Sequence, residues 1–179
     1  MPATTITTPR LIVRPFAESD LGGLSLLIRD KMAAASAPYD TQWPTDDGSM
    51  RGILKYYIDS APWSWCAVEL KATGHIIGFV CAGRAEDDGD AARGLGYTIR
   101  SDYQNNGYAY EACLALMGHC ETALGTRRFT AGTADCNTPS VRLLAKLGFV
   151  KIKSFEASFA KDAGGNPITF AAGEYERGL

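Results

Sequence analysis

Residues 104–109 connect an apolar strand pattern directly to a helical pattern. Residues 94–100 before them are short and apolar, which predicts a strand, and residues 107–124 carry apolar side chains at helical spacing. The first turn of a helix has backbone N–H groups without internal partners and a partial positive charge. Because Gly107 and Ala109 have little or no side chain, a phosphate can approach the backbone there. The turn therefore predicts an anion site, although an ordinary glycine-containing loop fits the same residues.

The composition is typical of one soluble globular domain. The chain has 179 residues, of which 46% are hydrophobic and 21% charged, so we expect a single domain over residues 1–179. A net charge of -2 with scattered basic residues argues against a nucleic-acid or anionic-membrane partner. No apolar run approaches the roughly 20 residues of a membrane span, and the first residues lack signal-peptide features, so we expect a cytoplasmic protein.

The cysteines and histidines suggest neither disulfides nor a metal site. The five cysteines are odd in number, form no CxxC pair and lie in or beside apolar segments, which predicts buried free thiols. They are Cys66, Cys81, Cys113, Cys120 and Cys136. The two histidines, His75 and His119, are not spaced as a pair of ligands, so we expect no metal.

Hydrophobic periodicity divides the chain into seven predicted strands and four predicted helices. The strands are expected at residues 10–16, 63–70, 75–81, 94–100, 129–134, 150–159 and 168–175. The helices are expected at about residues 20–31, 49–60, 108–124 and 137–147. Ile58 is expected on the apolar stripe of the second helix, and Gly125 is expected to end the third.

Two segments are candidates for a substrate site. The irregular residues 33–48 contain Tyr39 and Trp43, which could line a pocket or form a lid folded over the core. Residues 85–92 are an acidic, glycine-containing run that predicts either a solvated loop or a site that attracts a cation. Its carboxylates are Glu86, Asp87, Asp88 and Asp90.

A second motif lies about thirty residues after the anion turn. Asn137 is a good helix N-cap, Pro139 suits the first turn, and Gly148 can end the helix. The apolar stripe between them consists of Val141, Leu144 and Leu147. As local structure, this motif predicts a short capped helix that leads into a strand.

Together the two motifs resemble the GNAT superfamily of acetyl-CoA-dependent N-acetyltransferases. The resemblance rests on Gln104, Gly107 and Ala109, followed by Asn137, Ser140 and Gly148-Phe149. The opening Thr-Pro-Arg-Leu-Ile-Val-Arg-Pro-Phe of residues 8–16 resembles the RimJ/RimL-like branch of ribosomal-protein N-terminal acetyltransferases. The 73–78 hairpin and the Gly96-Tyr97 strand are similar to that branch too, so the resemblance covers nearly the whole chain in order.

The resemblance implies an α+β (mixed α/β) GNAT fold. Its central, twisted, mostly antiparallel sheet should have about seven strands with a splayed parallel pair, flanked by about four helices. It implies acetyl-CoA as the co-substrate, with no metal, and transfer to a primary amine by direct attack in a ternary complex. The acceptor is either a protein or peptide N-terminus or a small amine, and the chain is either a monomer or a homodimer.

The resemblance also implies roles for particular residues. The anion turn would hold the pyrophosphate of coenzyme A, and the strand before it would bind the pantetheine arm as a pseudo-strand, with the backbone of Ile99 near the oxyanion. Asn137 would hydrogen-bond the pantetheine, and Ser140 would be the general acid that protonates the thiolate. The implied cofactor-binding residues are Tyr97, Thr98, Ile99, Gln104, Asn105, Asn106, Gly107, Tyr108, Ala109, Asn137 and Ser140.

The chain departs from the family at two catalytic positions. Many relatives carry Glu where this chain has Gly94-Leu95, and many carry Tyr where it has Leu144. The general base is therefore unassigned; the candidates are Glu69, Glu86 and Asp135, or a water chain. For the amine we expect the substrate-binding residues Tyr39, Trp43, Asp87 and Asp88.

These departures leave open a non-catalytic acyl-CoA-binding module. A dinucleotide oxidoreductase is disfavoured, because Gly94-x-Gly96 continues without the third glycine of a Rossmann fingerprint.

Overall fold

Eight strands and four α-helices make up residues 5–85 and 89–178, the part of the chain that the structure describes. The structure is a computed structural model, in which residues 85, 89 and 90 are described by their backbone alone. The strands are β1 (Ile6–Thr7), β2 (Leu11–Pro15), β3 (Cys66–Leu70), β4 (His75–Ala85), β5 (Gly89–Ile99), β6 (Arg128–Ala134), β7 (Val150–Ala157) and β8 (Phe170–Gly178). The helices are α1 (Leu21–Ala33), α2 (Asp47–Asp59), α3 (Tyr108–Leu124) and α4 (Thr138–Lys146).

The strands form one sheet in the order β1-β2-β3-β4-β5-β6-β8-β7. Neighbouring strands are antiparallel except for β5 and β6, which run parallel. A parallel pair needs a crossover connection, which α3 supplies between β5 and β6. The mixed α/β GNAT fold with one parallel pair is thus the fold that the sequence predicted, with the two-residue β1 as an additional strand.

Helices cover both faces of the sheet. On one face, α3 and α4 pack over a buried cluster that includes Leu95, Leu116 and Leu144. On the opposite face, α1 and α2 pack over a second cluster that includes Leu27 and Phe79. A fully buried side chain of this size contributes about 1.5–3 kcal/mol to folding, so the two clusters orient β4 and β5 firmly between the helical layers.

Several expected strands begin or end at other residues, among them the one expected at 150–159, which ends at Ala157. The strand expected at 63–70 begins only at Cys66, because Trp63 has a positive φ of 69° and turns its ring onto His119. The loop expected at 85–92 is shorter, because β4 extends to Ala85 and β5 begins at Gly89. The last strand runs from Phe170 to Gly178 rather than over 168–175.

Two expectations about burial are also wrong. Ile58 is 38% exposed, and Met50 takes its place on the buried side of α2. Cys136 is exposed, because it lies in the turn between β6 and α4, whereas the other four thiols are buried or half-buried. Within the described residues, no helix has the length and apolar content that crossing a membrane requires.

Candidate functional site

A gap opens in the sheet between β5 and β6. The two strands are paired only at Ala92–Arg128, Arg93–Phe129 and Gly94–Thr130. Beyond Gly94, β5 is paired only with β4, and beyond Thr130, β6 is paired only with β8. The sheet therefore has a V-shaped opening that is closed at Gly94 and widens toward the ends of both strands, as the resemblance implied.

The register decides which backbone groups face this gap. The N–H of Arg100 donates to the carbonyl oxygen of Ile77 at 2.9 Å, so Arg100 directs its backbone groups at β4. Because these directions alternate along a strand, Tyr97 and Ile99 direct theirs away from β4 and into the gap. Thr98 points its backbone groups at β4 instead. Of the three strand residues expected to bind the donor, Tyr97 and Ile99 therefore direct their backbone groups into the gap, and the carbonyl oxygen of Ile99 also accepts from the side chain of Gln104.

The turn before α3 has the geometry of an anion site. Gly107 is the N-cap residue with a φ of +79°, and Asn105 also has a positive φ of 60°. No described side chain caps this helix start, so its first N–H groups are available to a ligand. The side chains of Gln104 and Asn106 stabilise the turn, since Gln104 donates to the oxygen of Ile99 at 2.8 Å and Asn106 to that of Gln104 at 2.9 Å.

Arg10 provides positive charge beside this turn, a contact that the sequence analysis missed. Its Nη1 donates to the backbone oxygen of Asn106 at 2.9 Å, and its guanidinium lies 4.5 Å from the ring centre of Tyr108. The Nε of Arg10 pairs with Glu111 at 2.6 Å. Burial opposes ionisation of Glu111, but hydrogen bonds from Thr8 and Arg10 outweigh it and lower the pKa of the carboxyl. Arg10 is thus held against the start of α3 by an ionised partner.

At the other side of the gap, the start of α4 faces β5. The Oδ1 of Asn137 accepts from the N–H of Ser140 at 3.3 Å, which confirms the predicted N-cap. The hydroxyl of Tyr97 lies 2.7 Å from the Oγ of Ser140, and either oxygen can donate. Burial raises the pKa of the Tyr97 phenol, although the hydrogen bond with Ser140 opposes the shift. Tyr97 therefore stays protonated at neutral pH.

Two clefts meet at the closed end of the gap. The first, of about 270 Å³, lies between β5 and β6, and its lining includes Gly94, Thr130, Gly132 and Glu174 on β8. The second, of about 410 Å³, also reaches Gly94 and is lined by rings of Tyr56 and Trp65. Glycine at position 94 leaves room for both clefts on the sheet face opposite α3 and α4.

The two aromatic candidates for substrate contact have different surroundings. Tyr39 is 37% exposed and packs edge-on against Phe170 at the start of β8, with 5.5 Å between ring centres. Trp43 is half-buried and packs edge-on against Tyr57 and Trp65, within the cluster under α1 and α2. Tyr39 therefore reaches over the sheet to β8, whereas Trp43 has the position of a lid residue.

The carboxylates expected near the site either form ion pairs elsewhere or lie outside the side chains that the structure describes. Glu69 pairs with Arg14 at 2.8 Å on β3, two strands away from the gap. Asp135 pairs with Lys151 at 2.8 Å. A third group lies outside the residues whose side chains the structure describes and comprises Glu86, Asp87, Asp88 and Asp90.

The sequence is similar to known acetyltransferases. Residues 10–150 match the acetyltransferase (GNAT) domain. The chain is 31% identical over 85 residues to the uncharacterized N-acetyltransferase p20 of Bacillus licheniformis. That match covers 48% of this chain and 47% of the other protein, so the chain spans about half the length of this curated relative.

Solved structures share the fold over almost the whole chain. The acetyltransferase (GNAT family) from Bacillus anthracis superposes with a TM-score of 0.81 at 19% identity, covering 98% of each chain. RimL, a ribosomal L7/L12 alpha-N-protein acetyltransferase solved in complex with coenzyme A, superposes with a TM-score of 0.77 at 20% identity, again covering 98% of each chain. At these identities the likeness establishes the fold, which is the one that the RimJ/RimL-like resemblance predicted.

Proposed function

The chain belongs to the acetyltransferase (GNAT) family, and on that premise we propose that it transfers an acetyl group from acetyl-CoA to a primary amine. The acceptor is either a protein or peptide N-terminus, the substrate class of the alpha-N-protein acetyltransferase RimL, or a small amine. Transfer occurs by direct attack of the amine on the thioester, with both substrates bound together. The gap between β5 and β6, open between the N-termini of α3 and α4, is the observation that carries this proposal.

The donor binds along the gap. Its pyrophosphate lies against residues 104–109, where the uncapped N–H groups of α3 and the guanidinium of Arg10 supply positive charge. The pantetheine arm lies along the gap beside the backbones of Tyr97 and Ile99, as a peptide adds to a strand edge. Asn137 at the start of α4 contacts the same arm. RimL, which has the same fold, was solved in complex with coenzyme A, and this supports acetyl-CoA as the donor.

The thioester carbonyl lies in the gap near the backbone of Ile99, where a fixed N–H donor would stabilise the oxyanion of the tetrahedral intermediate. Such donors contribute about 3–4 kcal/mol to transition-state stabilisation. The developing thiolate accepts a proton from Ser140, whose hydroxyl is oriented by the 2.7 Å contact with Tyr97. Because Tyr97 remains protonated, it can donate to Ser140 and leave the serine proton free for sulfur.

The amine enters from the face opposite α3 and α4. Both clefts reach Gly94 on that face, and Tyr39 packs against Phe170 at the start of β8. Trp43, Asp87 and Asp88 remain candidates for contact with the amine from the sequence alone. A cationic amine would be drawn to the acidic run, and salt would weaken that attraction.

Two measurements test the proposal. Calorimetry with acetyl-CoA tests donor binding, and a thiol-release assay with a panel of peptide N-termini and small primary amines tests transfer. We expect donor binding and amine-dependent release of coenzyme A. Donor binding without turnover on any amine would instead support the non-catalytic acyl-CoA-binding module, and absence of donor binding would reject both.

A further inference from the structure

We propose that Glu174 is the general base of the transfer reaction, an assignment that rests on the proposed function. The amine acceptor is a cation at neutral pH, and it must lose a proton before its nitrogen can attack the thioester. The sequence left this base unassigned. The structure brings Glu174, which was not a candidate, to the closed end of the gap.

The orientation of Glu174 follows from the register of β8. Tyr175 is buried in the cluster under α3 and α4, and side chains alternate between faces along a strand. Glu174 therefore points to the opposite face, the acceptor side, directly beside Gly132 on β6. Phe170, which contacts Tyr39, lies on this same face of β8, four residues earlier.

Glycines leave the carboxylate access to the gap. Gly132 separates Glu174 from the opening, and Gly94 stands across it on β5. A Cβ at Gly132 would meet no atom closer than 3.9 Å, so the space above it is open. The carboxylate of Glu174 can thus reach over β6 toward the centre of the gap, and it is the one carboxylate among the described residues that line either cleft.

Within residues 5–85 and 89–178, Glu174 has no competing partner. Among the described residues, no hydrogen bond or ion pair engages its carboxylate, whereas Arg14 holds Glu69 and Lys151 holds Asp135. The charged neighbours that face Glu174 are Lys153, its cross-strand partner on β7, and Glu176, which is paired with Arg128 at 3.1 Å. Thr130 and the glycines of β5 and β6 add no charge.

This geometry puts a base and an acid on opposite faces of the same gap. Glu174 takes one proton from the ammonium on the acceptor face and later passes it to water. The neutral nitrogen then forms the C–N bond, and the C–S bond breaks as the intermediate collapses. The second nitrogen proton leaves to solvent, and the sulfur takes a proton from Ser140, which is replenished from solvent. The net reaction releases one proton for each ammonium acetylated.

The test compares Glu174→Gln with Glu176→Gln, a matched change on the same strand and face. With the best amine of the panel, we expect Glu174→Gln to lower kcat by about 10²-fold at pH 7, the low end for general acid–base catalysis. Its acetyl-CoA affinity should not change, and Glu174→Asp should recover part of the rate. The Glu176→Gln rate should stay within about twofold of wild type, since that change only removes an ion pair.

The pH profile separates a base from a structural residue. As the pH rises toward the pKa of the amine, more amine is already neutral, so the deficit of Glu174→Gln should shrink. A kcat within about twofold of wild type, or a deficit that is equal at every pH, would overturn the assignment while the proposed function stands. Absence of turnover by the wild type on every amine would overturn the proposed function, and this assignment with it.

Discussion

The phenolic oxygen of Tyr97 on β5 lies 2.7 Å from the Oγ of Ser140 on α4, a contact that bridges the open part of the sheet. It joins the strand whose backbone faces the gap to the first turn of the helix beyond it. Helix capping at this point belongs to the side chain of Asn137, and Ser140 contributes only its backbone N–H to the cap. The serine hydroxyl is therefore available for chemistry.

Ser140→Ala should lower kcat by roughly 10²-fold, because the thiolate loses its proton donor and water replaces it only in part. Acetyl-CoA affinity should change little, since the bond to sulfur strengthens mainly in the transition state. Tyr97→Phe should lower kcat by about fivefold, which corresponds to the loss of one neutral hydrogen bond of about 1 kcal/mol. Steady-state kinetics with a melting curve on each variant checks this, and a Ser140→Ala kcat within about twofold of wild type would reject the catalytic role.

Gly107→Glu should weaken acetyl-CoA binding by more than about tenfold, because it places a negative side chain beside the expected pyrophosphate. Gly107 also has a left-handed φ of +79°, so any side chain adds strain. Gly125→Glu is the matched control: it has a φ of +69° at the other end of α3, and it shares the strain of about 1–2 kcal/mol without approaching the turn. Calorimetry on both folded variants measures their affinity for acetyl-CoA. Equal affinities of Gly107→Glu and Gly125→Glu would contradict a phosphate site at residues 104–109.

Arg10→Ala should weaken acetyl-CoA binding by about tenfold, because the turn loses a positive charge and the support of the Asn106 oxygen. Arg29→Ala serves as the control, since Arg29 pairs with Asp47 on the surface at the α1 side. The same titrations at low and high salt add a second criterion. If the positive charge of Arg10 is the cause, the difference in acetyl-CoA affinity between Arg10→Ala and wild type should become smaller as the salt concentration rises.

The carboxyl group of Glu111 should make the free energy of unfolding decrease as the pH falls into the acidic range. The pKa of Glu111 is lowered in the folded state. Its stabilising contribution is therefore fully present above the pKa of the unfolded chain and is lost as the pH falls through the lower folded value. Denaturant unfolding of wild type and Glu111→Gln between pH 7 and pH 3 measures this. The difference in the free energy of unfolding should be largest at pH 7 and should shrink toward pH 3; a constant difference would contradict the linkage.

Neutralising Asp87, Asp88 and Asp90 together should raise KM for a cationic amine and leave KM for acetyl-CoA nearly unchanged. The reason is the loss of negative charge that the sequence predicts to attract a cationic amine, so the effect should be larger at low salt. Kinetics on the triple Asn variant at two salt concentrations provides the measurement. Equal changes in both KM values, or none, would assign the acidic run to a solvated surface.

Thiol labelling should find one rapidly reacting cysteine. Cys136 is exposed, whereas burial raises the pKa of Cys81 to about 12 and also raises that of Cys66 and Cys113. Reaction requires the thiolate and access of the reagent to it, and burial opposes both at the other cysteines. A chromogenic disulfide reagent should release about one equivalent quickly from the native protein, and Cys136→Ser should abolish that fast phase.

Local patterns in the sequence were sufficient to predict the helices that begin on either side of the gap. Helix α3 begins and ends as predicted, because glycines 107 and 125 adopt left-handed conformations that side chains disfavour. The predicted cap at Asn137 is present for a similarly local reason. Where local patterns were ambiguous, as at residues 85–92, cross-strand pairing decided that most of the run is strand.

Contacts between distant residues could not be predicted in this way. Tyr97 and Ser140 are 43 residues apart in sequence, and Arg10 and Glu111 are 101 apart. Glu174 becomes relevant only because the register of β8 places it beside Gly132 and opposite the buried Tyr175. A shift of one residue would turn its side chain to the other face, and a single sequence gives no direct measure of that register.

The sheet consists of five strands and three strands that share only three residue pairs, next to the gap that the donor is expected to fill. A ligand whose amides pair with the facing strand edges would complete the sheet and hold its two parts together. Bound donor at a hundredfold excess over its dissociation constant would add about 2.7 kcal/mol to the free energy of unfolding. The lifetime of this protein in a cell would then follow the supply of its own substrate, because scarcity of acetyl-CoA leaves the chain easier to unfold and to degrade.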